Sequence, residues 1–144
     1  AGAISTTGLS QWIGDQLTVL HTAPIWVIAM VVTAVIILLT EITSNTATAA
    51  AFLPIMASLA ISMGQNPLIL LIPAAVAASC AFMLPVATPP NAIVYGSKKL
   101  RIIEMVQAGV ILNVLFTLLV TLIVFWLTPL VFDVQLGVIP SWVK

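Results

Sequence analysis

Residues 40–48, Thr40-Glu41-Ile42-Thr43-Ser44-Asn45-Thr46-Ala47-Thr48, form a polar knot between two apolar runs, and no other stretch so restricts what the chain can become. Residues 25–39 before it are apolar except for Thr33, and residues 47–63 after it are apolar except for small hydroxyl residues and Pro54. A helix rises about 1.5 Å per residue, so either run reaches only about 22–26 Å into a hydrocarbon core about 30 Å thick. The pattern therefore predicts a re-entrant hairpin whose polar tip is held at membrane depth. Irregular backbone survives there only where protein or a watery cavity satisfies its N–H and C=O groups, so the tip is expected to line a site.

Composition puts the chain in a membrane. Hydrophobic residues make up 62% of it and charged residues 6%, with a mean hydropathy of +1.26. These values exclude a soluble globular domain and select an integral membrane protein, and its apolar segments, read as helices, make the expected class all-α. Four basic and four acidic residues leave no net charge, which argues against nucleic acid. Cys80, the one cysteine, lies in an apolar run and reads as a small buried hydrophobe. The chain opens Ala1-Gly2-Ala3 without an initiator Met or a basic leader, and its few membrane elements are small for a carrier. An N-terminal portion is therefore expected to precede it.

Residues 8–20 carry Leu9, Trp12, Ile13, Leu17 and Leu20 at helical spacing with Gln11, Asp15 and Gln16 opposite, which predicts an interfacial helix anchored by Trp12. His21 follows as an interfacial hydrogen-bonding residue, and Pro24 starts the next helix. Residues 1–24 thus hold the interfacial helix and residues 25–63 the hairpin. After the turn Gly64-Gln65-Asn66-Pro67, residues 68–84 predict a spanning helix with a stripe of small residues at Ala74, Ala75, Ala77, Ala78 and Ser79. It is expected to unwind at Pro85-Val86-Ala87-Thr88-Pro89-Pro90-Asn91, where two adjacent prolines remove two donors, and to resume briefly over 92–96. Residues 64–101 are accordingly one broken helix, and 102–144 hold a last spanning helix and a tail. Lys98, Lys99 and Arg101 carry three of the four basic charges. The positive-inside rule puts them in the cytoplasm, the mouth of the hairpin and the C-terminus outside, with Trp126 and Trp142 at the outer interface.

Two interrupted apolar segments point to a binding site near the bilayer midplane, because half-helix N-termini attract anions while unwound carbonyls coordinate a cation. Taken singly, Ser-Asn-Thr is a common N-cap and Pro-Pro-Asn a common turn. Together, between flanks too short to span, they indicate a site. Both offer hydroxyl, amide and main-chain oxygens and neither offers a positive side chain, a set that suits sodium beside a carboxylate at two helix N-termini. Glu41 is the only acid nearby; a ligand role and a structural role in an ion pair or water pocket both stay open. Asn113 reads as an interhelical hydrogen bond.

Thr43-Ser44-Asn45-Thr46-Ala47-Thr48 and Phe82-Met83-Leu84-Pro85-Val86-Ala87-Thr88-Pro89-Pro90-Asn91-Ala92-Ile93-Val94-Tyr95-Gly96 resemble the divalent anion/sodium symporter family of sodium-dicarboxylate and citrate carriers. The resemblance covers nearly the whole chain and corresponds to the C-terminal part of the family's fold. It implies half of an elevator transport domain: an arm, an outward-opening hairpin, a broken helix and a last helix over 102–132. It further implies that Thr40, Thr43, Asn45 and the Ala87 carbonyl hold sodium with Ser44 adjacent. Asn45 and Thr46 would reach a substrate carboxylate, with Thr88 and Pro89 lining the same pocket. The implied partners are sodium, a di- or tricarboxylate (succinate, malate, fumarate or citrate), the bilayer of a bacterial inner membrane, the absent first repeat and scaffold, and a second copy in a homodimer. No enzymatic step is expected. A sodium-independent exchanger and a non-transporting membrane subunit are the alternatives.

Overall fold

The structure, a computed structural model, describes residues 7–8 and 23–143. The arm helix expected over 8–20, Gly8 aside, and His21 lie outside those residues.

Helix α1 (Ile25–Thr40) follows Pro24, whose carbonyl accepts the first turn's N–H groups from Val27 and Ile28. Its run of β-branched and leucine side chains ends in the turn 41–44, where Thr43 folds its hydroxyl back onto the Leu39 carbonyl at 2.7 Å. Helix α2 (Asn45–Ser62) begins directly after the turn with Ser44 as its N-cap, and it packs on α1. The two short runs thus form two helices joined by a tight turn at the polar knot.

Asn66 starts the next helix: its Oδ1 accepts the Leu68 N–H at 3.0 Å, one of the donors a helix start leaves unpaired. Helix α3 (Leu68–Ala77) is only 10 residues long. The sequence predicts a helix as far as Leu84, so the expected end is corrected by seven residues. Residues 78–88 are largely unwound, and α4 (Pro89–Gly96) resumes with Thr88 as N-cap and prolines in its first two positions. Arg101 and Glu104 form a capping box that opens α5 (Ile102–Phe132), a 31-residue helix that stops at Asp133 in the left-handed region.

Among the described residues, α2 and α5 are long and apolar enough to cross a membrane. The sequence runs had placed both arms of the hairpin below that length; α2 reaches it at 18 residues, and α1 stays short at 16. The core joins Ile28, Ile36 and Ile37 of α1 to Met56 and Leu59 of α2 and to Leu70, Ala74 and Ala77 of α3. Small side chains on α3 suit such a contact, because helix association in lipid depends on close packing rather than on escape from water. Helix α5 lies against α1 and α3 and turns Ile111, Leu122, Trp126 and Leu130 outward.

Candidate functional site

The turn after α1 and the unwound segment before α4 face each other. Between them lies a pocket of about 490 Å³ lined by Ile42, Thr43, Ser44, Asn45 and Thr46 on one side and by Val86, Ala87 and Pro89 on the other. Its size falls in the range of small-molecule sites. No charged side chain lines it, so anything charged held there is met by hydroxyl, amide and main-chain groups.

The chemistry of the turn follows from α2. Its first N–H groups, at Asn45 and Thr46, have no preceding helical carbonyl, and the helix dipole adds positive potential at the same place. Ser44 Oγ reaches the Ala47 N–H at a long 3.5 Å, and Thr43 Oγ1 exchanges a 2.6 Å hydrogen bond with Thr48 Oγ1. Behind the pocket, Thr40 is fully buried. Its hydroxyl lies 2.6 Å from Asn45 Oδ1 and 2.8 Å from the Ala78 carbonyl. One hydroxyl has one proton, so only one of these acceptors can be served at a time. With the proton on the Ala78 carbonyl, lone pairs of Thr40 Oγ1 and Asn45 Oδ1 are both left for a cation.

The unwound segment has a different support. Glu41, only 2% exposed, turns away from the pocket and into the gap after α3. Its Oε1 accepts the N–H groups of Phe82 at 2.8 Å and Met83 at 2.9 Å. Its Oε2 accepts those of Met83 at 3.0 Å and Leu84 at 3.1 Å. Asn113 Nδ2 of α5 donates to Oε1 at 3.0 Å. Bonds to an ionised acceptor are stronger than neutral ones, and here they serve donors that a helix through 82–84 would have used internally. This explains the early end of α3. It also answers the question the sequence left open, because Glu41 is a structural clamp. Asn91 completes the support from α4 by donating from Nδ2 to the carbonyls of Ala81 at 3.0 Å and Leu84 at 3.1 Å.

Of the residues singled out in the sequence, Thr43, Ser44, Asn45, Thr46, Ala87 and Pro89 meet at the pocket. Thr40 is behind it, reaching it through Asn45. Thr88 is not in the lining; its side chain caps α4 by accepting the Asn91 N–H at 3.4 Å. That bond also corrects the expected pair of converging helix N-termini. Pro89 and Pro90 have no N–H and the Asn91 N–H is occupied, so α4 offers an anion its dipole and little else. Asn113 makes a buried hydrogen bond, but to Glu41 in the turn after α1 rather than to another helix. Two contacts have no counterpart among the sequence expectations: Gly109, where α5 meets the Met83 backbone, and the Ala78 carbonyl that takes the Thr40 hydroxyl. The spacing of Gly109 and Asn113 by four, one small and one polar on the same helix face, was the available signal.

Residues 1–132 match the family model described as the sodium:sulfate symporter transmembrane region. A sodium-dependent dicarboxylate transporter SdcS of Staphylococcus saprophyticus is 46% identical over 135 residues, which are 94% of this chain and 26% of that transporter. The protein of the same name from Staphylococcus aureus is 44% identical over 137 residues, 95% of this chain and 26% of its own length. The chain therefore spans about a quarter of the length of these relatives.

Proposed function

The chain belongs to the sodium:sulfate symporter family, and on that premise we propose that it forms the sodium- and anion-binding part of a secondary carrier that moves a dicarboxylate or citrate-class anion with sodium. The observation that carries this reading is the uncharged pocket between the 42–46 turn and residues 86–89. A carboxylate there lacks a positive side chain, and a sodium ion bound beside it supplies the missing charge. The same lack counts against exchange without sodium.

Sodium is held by Thr40, Thr43, Asn45 and the Ala87 carbonyl, with Ser44 adjacent, a neutral oxygen set of the kind hard cations take. Thr40 takes part by donating its hydroxyl hydrogen bond to the Ala78 carbonyl, which frees Asn45 Oδ1. The anion is gripped chiefly from α2, by the Asn45 and Thr46 N–H groups and the Thr46 hydroxyl, while Pro89 bounds the pocket from α4, the helix that Thr88 caps. In the full-length carrier the two helices around the turn form a re-entrant hairpin opening outward, and this half of the transport domain moves as an elevator against a homodimeric scaffold in the bacterial inner membrane. Lys98, Lys99 and Arg101 then face the cytoplasm and the C-terminus lies outside.

Uptake of labelled succinate, malate and citrate by the reconstituted full-length carrier, in sodium and in choline, tests the reading. Asn45→Ala is expected to abolish uptake while leaving membrane insertion intact, since the tip loses its amide without losing apolar length. Sodium and anion must also raise each other's affinity by equal factors, typically worth about 1–3 kcal/mol. Equal anion affinity in sodium and in choline would sink the shared-site mechanism.

A further inference from the structure

Helix α5 meets the unwound segment at three positions of one face. Gly109, Asn113 and Phe116 follow at i, i+4 and i+7, the spacing that stacks side chains along a helix. At Gly109 the helix lies flat against the chain: a Cβ there would fall 2.5 Å from Met83 Cα and 2.7 Å from Met83 N. One turn on, Asn113 Nδ2 donates to Glu41 Oε1 at 3.0 Å. At the next turn the rings of Phe116 and Phe82 lie 4.8 Å apart at an interplanar angle of 48°. Asn113 Oδ1 is buried with no partner, so the carboxylate alone orients this amide.

None of the three lines the pocket, yet each holds one of its walls. Glu41 follows Thr40, whose hydroxyl reaches Asn45 in the turn. Met83 precedes Val86 and Ala87 of the opposite wall by three and four residues. We propose that α5 is the brace that sets the gap between the two walls, which makes Gly109 and Asn113 positioning residues for the pocket. What the pocket binds rests on the function proposed above; the brace itself does not.

The test uses the full-length carrier in two measurements. In a cysteine-free background that includes Cys80→Ala, spin labels at Ile42→Cys and Val86→Cys, both exposed on the pocket's two walls, report the gap without any ligand. Asn113→Ser, too short to reach Glu41, and Gly109→Ala, which drives a methyl into Met83, are each expected to shift or broaden that distance. Without labels, the same variants should lose about tenfold in apparent affinity for both sodium and dicarboxylate at normal membrane levels, as mutations along a coupling network do. Thr121→Val removes a hydroxyl that bonds only Thr117 on the same helix and should leave both measurements unchanged. Should Gly109→Ala fail to insert, Asn113→Ser decides, because it adds no volume. An unchanged distance in Asn113→Ser overturns the brace, and so does a changed distance with wild-type affinities. If the wild type shows no sodium-dependent dicarboxylate binding but the variants still alter the distance, the brace stands and the proposed function falls.

Discussion

The two interruptions of the helices are supported in opposite ways. The 41–44 turn is largely self-sufficient: Thr43 bonds Leu39 four residues back and Thr48 five residues on, and Ser44 caps its own helix. The unwound segment 78–88 depends on distant residues, since the N–H groups of 82–84 bond a carboxylate more than forty positions away in sequence. Met83 in addition lies under Gly109 of α5. A turn built from nearby caps can form before the rest of the chain packs, whereas the unwound segment exists only in the packed molecule. The polar lining thus joins a local wall to a non-local one.

Substitutions can break or sharpen this contrast. Glu41→Gln should be the most damaging, because it sets an amide donor against backbone N–H groups and removes the charge that holds them. A hydrogen bond to a charged group is worth about 1.5–3 kcal/mol and several weaken at once, so thermal unfolding of the purified carrier should fall steeply. An unchanged melting temperature would mean the segment supports itself as the turn does. Asn91→Ala removes the donors to Ala81 and Leu84 and should cost about 1–3 kcal/mol by the same measurement. Should it cost less than a change in the turn, the contrast fails.

Thr43→Val keeps the shape of the turn and removes a hydroxyl. Little change in melting temperature is expected, together with a rise in the sodium concentration for half-maximal uptake of about fivefold or more, the lower end of typical couplings. Unaltered sodium activation would take Thr43 out of the cation site. Ser44→Ala should be mildest for stability, near the low end of the range of about 0.5–2 kcal/mol for N-caps, given its 3.5 Å bond. A loss as large as that of Glu41→Gln would show that the turn is no more local than the segment opposite.

Much of this was legible without coordinates. The polar residues between apolar runs marked a turn within 40–48, Ser-Asn-Thr offered an N-cap, and the run of 109–132, broken only by Asn113, three threonines and Pro129, predicted the body of α5. Those features depend on neighbours within a turn or two, where hydroxyl oxygens, missing proline donors and apolar periodicity act directly on the local backbone.

The tertiary structure decided the rest. Sequence alone ran α3 on to Leu84, because no residue from 78 to 84 forbids a helix, and left Glu41 between ligand and support. Only packing brings the Glu41 carboxylate to the N–H groups of 82–84, offers them a better acceptor than their own helical carbonyls, and so ends the helix at Ala77. The spacing of Gly109 and Asn113 marks a helix face but not what lies against it, since a missing Cβ becomes informative only when another backbone occupies its place. Propensity and capping are short-range energies that one stretch of chain expresses alone. Where a buried carboxylate and a bare helix face come to rest depends on residues up to 72 positions apart, and the chain fixes that only when it closes on itself.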